Sequence, residues 1–368
     1  MSANPAAVWP PPPTLTHPFL FLAAFGAAFL LYWIAVVEGR ACLSLGAVIS
    51  LGLLARLTLL AYPPSDDMAR YLWEGRMALA GVDPYATAPA DPSLAVYRQG
   101  FEGAHQAINH PHIPALYPPL GLALFAAVAA LSPTVLAFKL AFLMLDLLGL
   151  LVLVRALRSP APRLDPAGYD TSPGSPAVRA AATYFLNPLL ILETAGHGHF
   201  EGLPILFSLG LLGALRRGRG ALAALHLALG AASKVAGFAL LPLLLLRFPV
   251  RKGLLLALAA AAAAGCAIVF SGSLSTLVRF ASRFRHDDWV PFVLRLLSGD
   301  SLGPRGEGLL SAALLMAAGL LLSRMLRGAA PERQALGFLG LFLAFSPTVH
   351  PWYVLWLLPF AATAGSRP

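Results

Sequence analysis

Apolar residues run along this chain in long blocks separated by short polar or basic connections. The blocks fall at about 18–37, 41–61, 117–131, 133–156, 177–195, 200–216, 220–236, 238–248, 253–271, 306–326, 334–348 and 351–365. Several approach the roughly 20 residues that an α-helix needs to cross a hydrocarbon core. Runs that stay apolar around every face leave no side for water, so lipid is the solvent they suit. The pattern predicts an all-α fold, a polytopic membrane helix bundle of about eleven transmembrane helices. The segment 117–131 is short and opens on "YPP", so it is expected to be re-entrant, dipping in and returning. Two long stretches, 62–116 and 272–305, are expected to be outer loops. Residues 1–17 form a proline-rich lead-in, expected to be disordered, and 18–365 a single integral membrane domain.

Inside the first long stretch lies "YPPSDDMARYLWEGRMALAGVDPY". Pro63 and Pro64 end the preceding helix, Ser65 can cap a new one and Gly81 can close it, which predicts a helix from Asp66 to Ala80. Met68, Tyr71, Leu72 and Leu79 form an apolar stripe on it, and Asp67, Arg70 and Glu74 fall on another face. Such an amphipathic juxtamembrane helix is expected to lie at the membrane surface. Acids in the first turn also stabilise a helix through its dipole by about 0.3–1 kcal/mol, with no chemistry required.

Composition agrees with the pattern. Hydrophobic residues make up 58% of the 368 and charged residues only 12%, about half the charged share of a soluble domain. The formal charge of +9 would suggest nucleic acid in a soluble protein. Here the basic residues sit in short connections such as "RALRSPAPR", "LRRGRG", "RFPVRK" and "SRMLRGAAPER", where they report cytoplasmic loops, so no nucleic-acid partner is expected. Counting from them places the acidic pair, Glu193–Glu201, Lys234, the stretch 272–305 and His350 on the opposite, outer side, with the N-terminus out and the C-terminus in. Cys42 and Cys266 both lie in apolar segments, which argues against a disulfide framework. A linker rich in proline and glycine, Pro160–Pro176, divides the bundle in sequence.

The outer side gathers the chemistry-bearing residues: "NHPHIPALYPP", "NPLLILETAGHGHFEG", "ASKVAG", "FASRFRHDDWVPF" and "SPTVHPWYVLW". Ionisable residues where apolar helices meet water are costly and mark a substrate site by default. The histidines in "HPH" and "GHGH", at 110, 112, 197 and 199, look metal-like, as does His350, yet no clear carboxylate–histidine helical spacing accompanies them, and no metal or other cofactor is expected. Asp287 and Asp288 are placed to pair with the nearby arginines.

The order of these motifs resembles the GT-C superfamily of membrane glycosyltransferases, and is most similar to its mannosyltransferase-type members, among them bacterial family 87 and the first mannosyltransferase of GPI-anchor assembly. The features that carry the resemblance run from the acidic pair and its aromatic helix, through Asp83-Pro84-Tyr85, "YPP" at Tyr117 and "NP" at Asn187, to Lys234, Arg279–Asp288 and "HPWYVLWLLP". The family often carries Asp-x-Asp, whereas this chain has adjacent acids, so either Asp66 or Asp67 is the candidate base. The resemblance implies a polyprenyl-phosphate-linked hexose donor, mannose, and a lipid-linked or cell-envelope glycan acceptor. It also implies an inverting transfer on the outer face of a bacterial inner membrane. The candidate substrate-binding residues are Arg70, Glu74, Tyr117, His197, His199, Glu201, Lys234, Arg283, Arg285, His286, His350 and Trp352. Cationic groups would hold the departing phosphate, and a carboxylate would take the acceptor proton. A transporter or flippase of a lipid-linked substrate is the competing class. It would show two related halves and charges near the midplane, and this chain displays neither pattern.

Overall fold

The structure is a computed structural model, and it describes residues 18–157, 172–299 and 301–364. The lead-in and most of the Pro160–Pro176 linker fall outside the described residues. Every regular element among the described residues is helical. Four helices are long and apolar enough to cross a membrane: Pro18–Val37, Val135–Ala156, Val250–Phe270 and Gly306–Met325. The remaining apolar helices among the described residues are shorter, so length and composition alone do not confirm the expected eleven crossings.

The reason is local. The block 177–195 splits into Pro176–Phe185, a turn capped by Asn187, Pro188–Ile191 and a π turn over Leu192–Gly196. Proline supplies no amide hydrogen for the preceding turn, and the Asn187 side chain instead accepts from the amides of Leu189 and Leu190. The block 351–365 likewise becomes a 3₁₀ stretch, Pro351–Trp356, followed by Leu358–Ala364. Conversely, the stretch 272–305 holds the helices Ser273–Arg283 and Trp289–Ser298, and the next helix begins at Gly303.

Charged residues buried between helices fix their register. Arg56 on Leu45–Leu59 donates to Asp146 on Val135–Ala156 at 3.0 Å and to the carbonyls of Gly52 and Phe185. Asp146 also accepts from Thr194 at 2.6 Å, which ties the π turn to the same pair. Lys139 donates to the carbonyls of Leu60 and Tyr62, so its ammonium completes the end of the helix that Pro63 and Pro64 terminate.

The acidic helix, Asp66–Leu79, corrects one expectation. It does not lie at a surface with a polar face outward: Arg70, Trp73 and Glu74 are each about 1% exposed, as deeply placed as Met68 and Leu72 on the apolar stripe, whereas Leu79 is exposed. The chain after it folds back over its polar side. Arg70 pairs with Glu74 at 2.9 Å and donates to the carbonyls of Asn109, His110, Ile113 and Pro114. One guanidinium therefore gathers the covering loop. The other side packs against Pro119–Leu131 so closely that a Cβ on Gly75 would come 2.5 Å from the Phe125 carbonyl oxygen. Tyr71, Phe125, Phe138, Phe142 and Phe200 close the core beneath it.

Candidate active site

The first wall of the site is the start of the acidic helix. Ser65 is its extended N-cap, and the Ser65 amide donates to the His197 carbonyl at 2.9 Å, fastening the acids to the distant "GHGH" bend. Asp67 is held from two directions. Its Oδ1 accepts from the Asn109 amide at 2.8 Å, and its Oδ2 lies 3.5 Å from both the Tyr71 hydroxyl and His199 Nδ1. Asp66, beside it, reaches solvent. Partial loss of hydration and then the neighbouring Asp67 charge raise its pKa above the ordinary carboxylate value, against a lowering contribution from Asn109.

The second wall is the broken helix. The wide π turn sets Glu193 beside His197, with Oε2 3.0 Å from Nδ1, and the His199 amide returns to the Glu193 carbonyl at 2.8 Å. The return depends on Gly198, whose φ of +79° is left-handed and whose absent Cβ would lie 2.2 Å from Met68 Cε. His199 is fully buried. Two residues on, buried Glu201 accepts from Lys234 through Oε1 and from the Trp356 indole through Oε2 at 2.6 Å. The Lys234 ammonium lies over the rings of Phe200, Tyr353 and Trp356.

The third wall comes from near the C-terminus. Trp352 stacks on His199 with ring centroids 3.9 Å apart and on His350 at 4.5 Å, and His350 meets His286 edge-on at 4.4 Å. The His286 amide donates to the Pro347 carbonyl, and the Val349 amide returns to the His286 carbonyl. This short bridge fastens the stretch after Ser273–Arg283 to the "SPTVHPW" turn. Burial, then His286 and Lys234, lower the His350 pKa to about 4. His350 is therefore neutral through the physiological range.

Most residues singled out from the sequence thus meet. Asp67, His199, Trp352, His350 and His286 form one continuous chain of contacts, with Asp66 beside it in sequence. His197, Glu201 and Lys234 lie along its side, and Tyr117 packs beside them half-buried, edge-on to Tyr71 and Phe200. Arg70 and Glu74 do not join them: their charges serve the covering loop. Arg285 pairs with Glu307 at 2.9 Å and with Asp288, which Arg295 also holds, so this basic run is largely matched by acids. The side chain of Arg283 lies outside the described residues.

Asn109, Tyr353 and Trp356 were not singled out as site residues. Asn109 stands beside the noted "HPH", and the two aromatics follow His350 within the same motif. Glu193 carries a plainer signal: it stands four residues before His197, a spacing that brings side chains together on one turn of helix.

Comparison with known families gives two matches. A family described as "Alpha-(1->6)-mannopyranosyltransferase, N-terminal domain" matches residues 2–249, and one described as "MptB C-terminal domain" matches residues 304–368. Searches of curated proteins and of solved structures returned no match. The first match alone spans well over half of the chain and covers both the acidic helix and the broken helix of the site, while the second covers the "HPWYVLW" wall. The chain belongs to the alpha-(1->6)-mannopyranosyltransferase family of membrane glycosyltransferases.

Proposed function

We propose that this chain moves a mannosyl group from a polyprenyl-phosphate-linked donor to a hydroxyl of a lipid-linked or cell-envelope mannan, making an α-(1→6) linkage with inversion, on the outer face of a bacterial inner membrane. The observation that carries the reading is the placement of Asp66 and Asp67, clasped to the His197–His199 bend and bordered by the His350–Trp352 stack. An α product formed with inversion calls for a β-linked donor. The acceptor oxygen attacks the anomeric carbon as the bond from that carbon to the phosphate oxygen breaks. The phosphate leaves with the bonding electron pair, and the hydroxyl proton goes to a carboxylate.

The two acids divide the work by environment. Asp66 is the base: it reaches solvent, where an acceptor can approach, and its raised pKa makes it a better proton acceptor near neutrality than an ordinary carboxylate. Asp67 positions, since Asn109, Tyr71 and His199 already surround its oxygens. Lys234 supplies positive charge for the departing phosphate from a ring of aromatic faces, and neutral His350 offers a hydrogen bond to phosphate or sugar. The isoprenoid tail would lie against exposed apolar helix surface, of which Val250–Phe270 and Gly306–Met325 present a large share.

The test is transfer from synthetic polyprenyl-phosphate mannose to a mannan oligosaccharide by the full chain in vesicles. Asp66→Asn should lower kcat by about 10²- to 10⁴-fold with KM little changed. Transfer at the unmodified rate by folded Asp66→Asn protein would remove that residue as the base.

A further inference from the structure

Glu193, His197 and His199 carry a second feature that the transfer reaction as described leaves unused. Glu193 Oε2 is 3.0 Å from His197 Nδ1 and 3.4 Å from His199 Nε2, and one ligand atom from each of the three residues lies within 4.8 Å of the others. A tetrahedral ion bound at about 2.0–2.2 Å spaces its ligand atoms by about 3.5 Å, so only small side-chain adjustments separate this trio from a coordination shell. His199 adds an independent sign. It is fully buried, and neither of its ring nitrogens has a hydrogen-bond partner. A buried polar atom left in that state is destabilising, and native proteins seldom keep one without a reason. The two nitrogens are not idle in direction: Nε2 faces Glu193, and Nδ1 faces Asp67 at 3.5 Å.

We propose that Glu193, His197 and His199 bind a divalent first-row transition ion, Zn²⁺ or Mn²⁺, with Asp67 orienting His199 from behind. Two imidazoles and one carboxylate are a borderline donor set, which suits Zn²⁺ best; Mn²⁺ accepts imidazole more weakly, and Ca²⁺ and Mg²⁺ prefer oxygen alone. A carboxylate accepting from the far nitrogen of a ligating histidine fixes its tautomer and ring plane, and Asp67 Oδ2, 3.5 Å from His199 Nδ1, stands where a small adjustment would make that bond. The backbone is built for the convergence. The π turn Leu192–Gly196 shifts Glu193 relative to a regular helix, and left-handed Gly198 folds His199 back toward it. Three protein ligands leave at least one position for an outside oxygen. On the transferase reading, that oxygen belongs to the donor phosphate; binding of the ion itself does not depend on that reading.

The experiment uses the full chain purified in detergent, stripped with chelator, and titrated with Zn²⁺ alone and Mn²⁺ alone without any sugar donor. Retained metal is measured after equilibrium dialysis. Co²⁺ is then substituted, and its visible spectrum reports nitrogen and oxygen ligands. The expected result is one equivalent of metal per chain. Glu193→Gln and His197→Gln should each weaken it by at least about 10-fold, and Asp67→Asn by about 10- to 100-fold. His226→Gln, at a histidine that packs near Phe207 away from this cluster, should leave it unchanged. Absence of stoichiometric binding by the unmodified chain overturns the proposal, and so does equal binding by folded Glu193→Gln and His197→Gln. Should those variants fail to fold, the unmodified chain decides alone: a Co²⁺ spectrum without nitrogen ligation, or no bound metal, ends the case. Because no donor is present, failure here leaves the transferase reading standing, and loss of transfer in Asp66→Asn leaves this one standing.

Discussion

The pairing of Lys234 with Glu201 separates what holds the site together from what drives transfer. Glu201 is fully buried, and both of its oxygens are engaged, one by Lys234 and the other by the Trp356 indole. Lys234→Gln removes the ammonium and leaves a buried carboxylate with one remaining donor among aromatic rings. Removing one member of a buried ion pair costs about 3–5 kcal/mol. Glu201→Gln strands the lysine, although the Lys234 side chain is 13% exposed and can find water, so the loss should be smaller. The double variant replaces the ion pair with two neutral amides and should regain most of the stability, a coupling of about 1–3 kcal/mol. On the proposed reaction transfer behaves differently, because the charge assigned to the departing phosphate is absent in Lys234→Gln and in the double variant alike. Both should transfer about 10²- to 10³-fold more slowly than the unmodified chain. Denaturation of the purified chain in detergent and mannosyl transfer in vesicles measure the two quantities separately. Additive stability losses would refute the buried-pair argument, and a double variant that transfers at the original rate would refute a phosphate role for Lys234.

Two further outcomes follow from particular groups. The Asp67 charge helps hold the Asp66 pKa up, so Asp67→Asn should shift the acid limb of kcat/KM to lower pH, and a limb that stays in place would belong to another group. Between the helices Leu45–Leu59 and Val135–Ala156, Arg56→Met should destabilise by about 3–5 kcal/mol by stranding Asp146, and Arg56→Met with Asp146→Leu should recover most of it in the same denaturation measurement.

How much of this was legible in the sequence depended on what each signal encodes. Long apolar blocks announced a membrane bundle because lipid solvation constrains every face of a spanning helix. The blocks did not reveal how many stay continuous. Asn187-Pro188 breaks one of them and the joint before Leu358-Pro359 another, and the residue before a proline is biased away from helix, so that signal was present but counts less than hydropathy in a block reading. The helices within 272–305 were missed for the opposite reason. Ser273–Arg283 mixes serine, threonine and arginine with its apolar positions, and reads as loop when only apolar runs are counted. On the acidic helix, periodicity separated the face of Arg70 and Glu74 from the apolar stripe. It could not reveal that the 109–114 carbonyls would cover that face, since the information lies some forty residues away in the chain.

The site itself follows from those breaks. Each wall is a place where a helix stops inside an apolar surround, and each stop leaves backbone amides and carbonyls that need partners. The Ser65 amide finds its partner in another wall, the His197 carbonyl, and within the third wall the His286 backbone bonds with Pro347 and Val349. The side chains at the stops are joined in the same way, Glu201 to Lys234 and Trp356, and Asp67 to Asn109. Ionisable residues could be named from the sequence because they interrupt apolar blocks. Their convergence has a separate cause, the need of several broken helices to satisfy one another in a medium without water. On the proposed reading a donor with a lipid tail brings its phosphate to this site, and the broken helices supply the cationic and carboxylate groups that would meet it. Continuous helices through 177–195 and 351–365 would satisfy their own backbone, and nothing would then hold His199 and His350 against the acids.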